Sequence, residues 1–140
     1  MSRNILPECF TQPELRLNTV ASLHKCVAES AMIYALNVFN LIPGKEDDYR
    51  DYSVRAGKII YRLGGKVVSA GSGPLRELHG DRTRRQMIVV EFPSLAVFEQ
   101  FIDEAESQNI HPLRENSTAD YIWTLYEPWD LRTWVKAQQS

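Results

Sequence analysis

Hydrophobic positions between residues 32 and 127 switch repeatedly between a period near two and a period near 3.6. Met32–Ile42 (MIYALNVFNLI) is rich in β-branched and aromatic residues and stops at Pro43-Gly44, which predicts a strand. Tyr49, Tyr52, Ala56, Ile59, Ile60 and Leu63 then recur at spacings of three and four. That spacing predicts an amphipathic helix from about Lys45 to Leu63. Gly64-Gly65 follows, where a left-handed cap belongs. Lys66–Ala70 reads as a second strand, interrupted by Gly71-Ser72-Gly73-Pro74, with Leu75–Leu78 as its continuation after a bend. His79-Gly80-Asp81 is a turn, and Arg85–Phe92 (RQMIVVEF) is a third strand. A second helix starts at Pro93-Ser94, with Leu95, Phe98, Phe101, Ile102 and Ala105 on its apolar face. Residues 107–118 read as a polar connection, and Ala119–Glu127 as a fourth strand.

The order β-α-β-β-α-β predicts an α+β, ferredoxin-like fold: a four-stranded antiparallel sheet with two helices on one face. Residues 31–128 form this domain. Residues 1–30 are expected to be a helical arm, since Thr11-Gln12-Pro13-Glu14 has the form of a capping box and Leu15, Val20, Leu23 and Val27 follow at loosely helical spacing. Residues 129–140 are a short tail with Trp129 and Trp134.

One feature of the pattern departs from a sheet with one wet face, whose strands alternate apolar and polar residues. Tyr34, Leu36 and Val38 oppose Ile33, Ala35 and Phe39; Met87 and Val89 oppose Ile88, Val90 and Phe92; Tyr121, Trp123 and Leu125 oppose Ile122, Thr124 and Tyr126. Both faces are apolar, so the face away from the helices needs a cover. A second copy, in a two-fold homodimer through the sheet faces, is the favoured cover. The alternative is the arm of residues 11–30 folding back over its own sheet.

Composition narrows the class. The chain has 140 residues, 44% hydrophobic and 24% charged, with 16 Lys plus Arg against 18 Asp plus Glu and a net charge of −2. That balance argues against a nucleic-acid partner, which needs a strongly basic face. The absence of a long apolar stretch argues against a membrane partner. With no signal-like start, the expected location is the cytoplasm. Cys9 and Cys26, both near the N-terminus, are expected to stay reduced there. No P-loop, dinucleotide fingerprint, nucleophile elbow or metal-ligand spacing is present, and no cofactor or metal is expected.

The strand with Tyr34, the segment Leu63-Gly64-Gly65-Lys66, the Gly-rich loop, Leu78-His79-Gly80, Ile88–Ser94 (IVVEFPS) and Pro112-Leu113-Arg114 occur in that order. In these pieces the chain resembles the bacterial domain-of-unknown-function family thirteen-thirty, within the dimeric α/β-barrel superfamily, over about Met32 to Glu127. The resemblance implies a dimeric barrel and places Arg114 at a recurring position of the family. The wider superfamily includes cofactor-free monooxygenases, dehydratases and small-molecule binders, so fold alone selects no reaction.

Candidate chemistry is sparse. Glu91, a carboxylate in an apolar strand, and His79, at a turn, are the candidates for proton transfer. Each has a plain alternative, an ion-paired strand end for Glu91 and an exposed turn residue for His79. Arg114 is the candidate anchor for an anionic ligand oxygen, against an ion pair with Glu115 or Glu91. Asn37, Tyr34, Tyr52 and Trp123 are candidate pocket residues between sheet and helices, against a role in core or interface. Arg82, Arg84 and Arg85 form a basic run, read as a solvated turn. The expected function is binding of a small, partly apolar organic anion, by a cofactor-independent acid/base enzyme. The alternatives are a ligand-binding or sensing module without turnover and a purely structural dimer. Convergence of Glu91, Arg114 and His79 on one cavity separates the first from the others.

Overall fold

The computed structural model describes residues 31–139. The expected arm of residues 1–30, with its capping box and both cysteines, lies outside the described residues. The elements are β1 (Ile33–Leu41), α1 (Glu46–Arg62), β2 (Lys66–Ser72), β3 (Gln86–Phe92), α2 (Leu95–Ser107), α3 (His111–Ser117), β4 (Thr118–Tyr126) and α4 (Leu131–Gln139). One antiparallel sheet runs in the order β2-β3-β1-β4. This is the ferredoxin-like α+β architecture expected from the sequence.

Four local readings change. The polar connection of residues 107–118 contains α3, opened by Pro112 in its first turn, where a missing N–H costs nothing. The tail forms α4, with Asp130 accepting from the backbone and hydroxyl of Thr133 at its start. Strand β2 runs on through Gly71-Ser72, and Leu75–Leu78 is not a strand. Leu75 and Leu78 are instead fully open to solvent, at 102% and 81% exposure.

Each helix is set by short-range chemistry. The first turn of α1 carries Glu46, Asp47 and Asp48, which complement the positive end of the helix dipole. In α2, the Ser94 hydroxyl accepts from the backbone N–H of Val97 at 3.1 Å. At the end of α1 the chain reverses at Gly64 (φ +94°) and the Gly65 N–H returns to the carbonyl of Ile60 at 2.8 Å. A Cβ on Gly65 would lie 2.9 Å from Ile60 Cγ2 and 3.0 Å from the Glu91 carbonyl oxygen. Gly65→Ala is therefore expected to destabilise the fold by about 1–3 kcal/mol, through displacement of α1 against β3, in urea unfolding at pH 7. Unchanged stability would contradict that close approach.

The core lies on the helix side of the sheet. Ile33, Ala35, Phe39, Val90 and Phe92 pack there against Tyr52, Ala56, Ile59 and Ile60 of α1 and Phe101 and Ala105 of α2. The other face carries Tyr34, Leu36 and Val38 beside Met87, Val89, Ile122 and Tyr126, and Val38 and Met87 there meet the β2–β3 connection at Pro74 and Arg82–Arg85. Ile122 and Tyr126 are 44% and 52% exposed.

Two bulges aim side chains at the core. Between Val38↔Ile122 and Asn40↔Ala119, two residues of β4, Asp120 and Tyr121, oppose Phe39. Asp120 takes the left-handed conformation (φ 55°), which Asp tolerates. Its carboxylate accepts from Asn40 Nδ2 at 3.1 Å and its carbonyl from Arg84 Nε at 2.8 Å. The bulge lets Tyr121 stack on Phe39, with ring centroids 4.8 Å apart. In β2, Val68 is the extra residue, so Val67 faces the helices and Ser69 the open side.

Candidate functional site

Between the sheet and α1 lies a cavity of about 140 Å³. Its apolar walls are Ala35, Ile60, Val67, Ile88, Val90, Phe92 and Phe101. Its polar members are Asn37, Tyr49, Tyr52, Ser53, Tyr121 and the indole of Trp123. Tyr49 and Tyr52 stand three residues apart on the inner face of α1, so their rings meet at 5.7 Å. Tyr121 and Trp123 alternate onto the same face of β4.

Asn37 has its hydrogen-bond capacity used within the protein. Its Nδ2 donates to the carbonyls of Ala35 (3.3 Å) and Ile88 (3.4 Å), and its Oδ1 accepts from the Tyr121 hydroxyl at 2.6 Å. A buried amide in a strand is tolerated because these bonds replace water.

Arg114, on α3, does not line the cavity itself but lies over two residues that do, Tyr121 and Trp123. Its guanidinium carbon lies 4.8 Å from the ring centre of Tyr121 and 5.1 Å from that of Trp123. The side chain is only 13% exposed. The only carboxylate among the described residues within ion-pair distance is Glu115, at 3.8 Å and itself 63% exposed, a pairing worth little. Arg114 Nε and Trp123 Nε1 are buried donors with no acceptor among the described residues. His111 Nδ1, one turn earlier on α3, is likewise unpartnered.

The tyrosine hydroxyls here are held neutral. Burial pushes Tyr49, Tyr52 and Tyr121 above the ordinary phenol value of 10.0. Neighbouring tyrosines add to the rise at Tyr49 and Tyr121, and Arg114 opposes it at all three. A folded-state value above the unfolded one means that the unfolded chain loses its protons first as pH rises. Stability is thus fully present below about pH 10 and falls above it, by up to about 1.4 kcal/mol per pH unit for each tyrosine. Urea unfolding from pH 8 to 11 is expected to show that fall, and Tyr49→Phe to make it shallower. A flat profile to pH 11 would contradict buried, neutral phenols.

Of the residues singled out in the sequence, Asn37, Tyr52 and Trp123 line this cavity and Arg114 lies over Trp123 beside it. The other three do not. Tyr34 and Glu91 face each other across β1 and β3 on the open side of the sheet. Glu91 there lies 3.9 Å from Lys66 Nζ. This corrects the grouping of Tyr34 with the pocket: strand alternation turns it away from Asn37. His79 is exposed in the β2–β3 connection. Glu91, His79 and Arg114 thus occupy three separate places. The sequence reading passed over Tyr49 and Tyr121 as site residues. The available signal was a phenol hydroxyl recurring at positions whose neighbours are apolar core. Among the described residues, no group of three or more His, Cys, Asp or Glu is placed to hold a metal ion, and no helix is long and apolar enough to cross a membrane.

Residues 34–125 match the family profile of the domain of unknown function DUF1330. No curated protein is detectably similar to the chain. Among solved structures, the RPA0582 protein of unknown function from Rhodopseudomonas palustris is similar at 23% identity and a TM-score of 0.64, over 89% of this chain and 94% of that one. A methylated form of RPA0582 gives 24% identity and 0.65, over 89% and 92%. A NIPSNAP family protein (ATU5224) from Agrobacterium tumefaciens gives 15% identity and 0.51, over 71% and 88%. These likenesses establish the fold.

Proposed function

From the premise that the chain belongs to the DUF1330 family, a domain of unknown function, we propose that it binds a small, partly apolar organic anion in the cavity between α1 and the sheet. One observation carries the reading: Trp123 Nε1 in the cavity wall and Arg114 Nε beside it, over Trp123 and Tyr121, are buried donors with no acceptor among the described residues. Leaving two such donors unmet costs free energy that a ligand oxygen would recover. A guanidinium fork presented beside aromatic rings suits a carboxylate. A cavity of about 150 Å³ accepts a benzene-sized molecule, which sets the scale of the apolar part.

The reading is binding rather than proton transfer. None of the cavity-lining residues is a carboxylate or a histidine. The tyrosines there are neutral at cellular pH, with values far from those of an efficient acid or base. Thermal-shift titration with benzoate and its neutral isostere benzamide tests the reading. Benzoate is expected to raise the melting temperature and benzamide not to. Equal effects of the two would sink it.

The open sheet face supports a second proposal, a homodimer through that face. The carrying observation is a contiguous apolar surface on β1, β3 and β4 that includes Ile122 and Tyr126, each roughly half exposed. The cavity lies on the other face, so one chain can carry a ligand and a partner together. The cytoplasmic location expected from the sequence belongs to the same proposal.

A further inference from the structure

The hydrogen-bond polarity of the cavity specifies more than an anion. Both protons of Asn37 Nδ2 go to backbone carbonyls, those of Ala35 and Ile88. Turning the amide over would set its oxygen against two carbonyl oxygens, so Oδ1 must face Tyr121. Tyr121 has one hydroxyl proton, and it is committed to that Oδ1 at 2.6 Å. Toward the cavity Tyr121 therefore offers lone pairs only. The opposite holds at Arg114 and Trp123, whose Nε and Nε1 are buried donors with no acceptor among the described residues. Tyr121 thus supplies an acceptor beside a pair of donors.

We infer that the ligand is a compact, single-ring organic acid that also carries a hydroxyl or N–H donor, the donor being read by the Tyr121 oxygen. This rests on the anion-binding reading above and sharpens it: the acid group alone satisfies Arg114, while the second group distinguishes a hydroxy acid from a plain one. The discrimination has a physical basis. A ligand that lacks the donor leaves the Tyr121 lone pair buried and unmet, and one that places an ether there sets two acceptors against each other.

The test is calorimetric titration of the full chain with benzoate, the three hydroxybenzoate isomers, their methoxy counterparts and benzamide. At least one hydroxybenzoate isomer is expected to bind roughly threefold to tenfold tighter than benzoate, the scale of one neutral hydrogen bond. Its methoxy counterpart is expected to show no gain. In Tyr121→Phe the advantage of the hydroxyl is expected to vanish while benzoate still binds better than benzamide. Benzoate binding with no isomer tighter than benzoate overturns this inference and leaves the anion-binding reading standing. A gain that the methoxy compound shares, or that survives in Tyr121→Phe, also overturns it. Benzoate binding no better than benzamide removes the underlying reading and this inference with it. The ligand series on the unaltered protein decides the matter if Tyr121→Phe does not fold.

Discussion

Replacing Arg114 by Met is expected to weaken carboxylate binding at least tenfold while leaving the stability of the ligand-free protein little changed or raised. The two effects have one cause. Arg114 is 13% exposed, and its only carboxylate neighbour among the described residues is the solvent-exposed Glu115. Its charge is held by the faces of Tyr121 and Trp123. Cation–π contacts of this kind contribute about 1–2 kcal/mol when desolvated. Taking the charge out of water costs several kcal/mol. An apolar side chain of similar length removes that cost and keeps most of the packing. The melting temperature of the ligand-free variant is therefore expected to stay within about 3 °C of the parent or to rise, by the usual scaling for a domain of this size. Binding of benzoate is expected to weaken by about 2–4 kcal/mol, roughly 30- to 1000-fold, because the anion then enters a site without its counter-charge. Arg114→Lys keeps the charge and loses the fork, and an intermediate loss is expected. Calorimetry and thermal melts on the same preparations check both halves. A strongly destabilised Arg114→Met would mean that the arginine holds the fold rather than a ligand.

Leu36→Lys is expected to convert a dimer into a folded monomer. Leu36 is at the centre of the open face, opposite Val89 on one side and Thr124 on the other. In a two-fold pairing of sheet faces a central residue lies near its own copy, so the substitution brings two like charges together in an apolar contact. Central apolar contacts carry much of an interface's energy, and a dissociation constant raised at least 100-fold, about 2.7 kcal/mol, is expected. Because the side chain of Leu36 points away from α1 and α2, circular dichroism is expected to be unchanged. Sedimentation at micromolar concentration reads the result: about twice the 16.1 kDa of one chain for the parent, and one chain for the variant. A parent that sediments as a single chain would remove the dimer proposal.

The sheet and the two main helices were legible in the letters because their periods differ and their ends carry Pro and Gly. The β1 boundaries follow from Pro43-Gly44, and those of α2 from Ser94. Helix α3 was not legible: seven residues, His111–Ser117, are too few and too polar to show a period. That miss matters, because α3 is what sets Arg114 over Tyr121 and Trp123. Which side of the sheet a strand residue faces was legible for Asn37 and Trp123, which alternate onto the side of Ile33 and Phe92. The same alternation puts Glu91 and Tyr34 on the other side, with Met87, Val89 and Leu36, so strand parity alone separates both from the cavity. The β4 bulge that turns Tyr121 onto Phe39 leaves no clear trace in sequence, since Asp120 adopts a conformation available to Asp but not specific to it. The closeness of Tyr49, Tyr52 and Tyr121 joins one helix to a strand about 70 residues later, a pairing that no local pattern encodes.

The central claim is that Arg114 presents an unmet donor to an organic anion. A ¹H–¹⁵N correlation spectrum observing the arginine Nε–H groups, with the Arg114 resonance identified by its loss in Arg114→Lys, tests it directly. Adding benzoate is expected to move the Arg114 signal saturably and to leave those of exposed Arg50 and Arg55, both already paired to aspartates on α1, in place. Benzamide is expected to move none of them. An Arg114 signal that stays put through millimolar benzoate, or that moves no more than those of Arg50 and Arg55, would contradict the account.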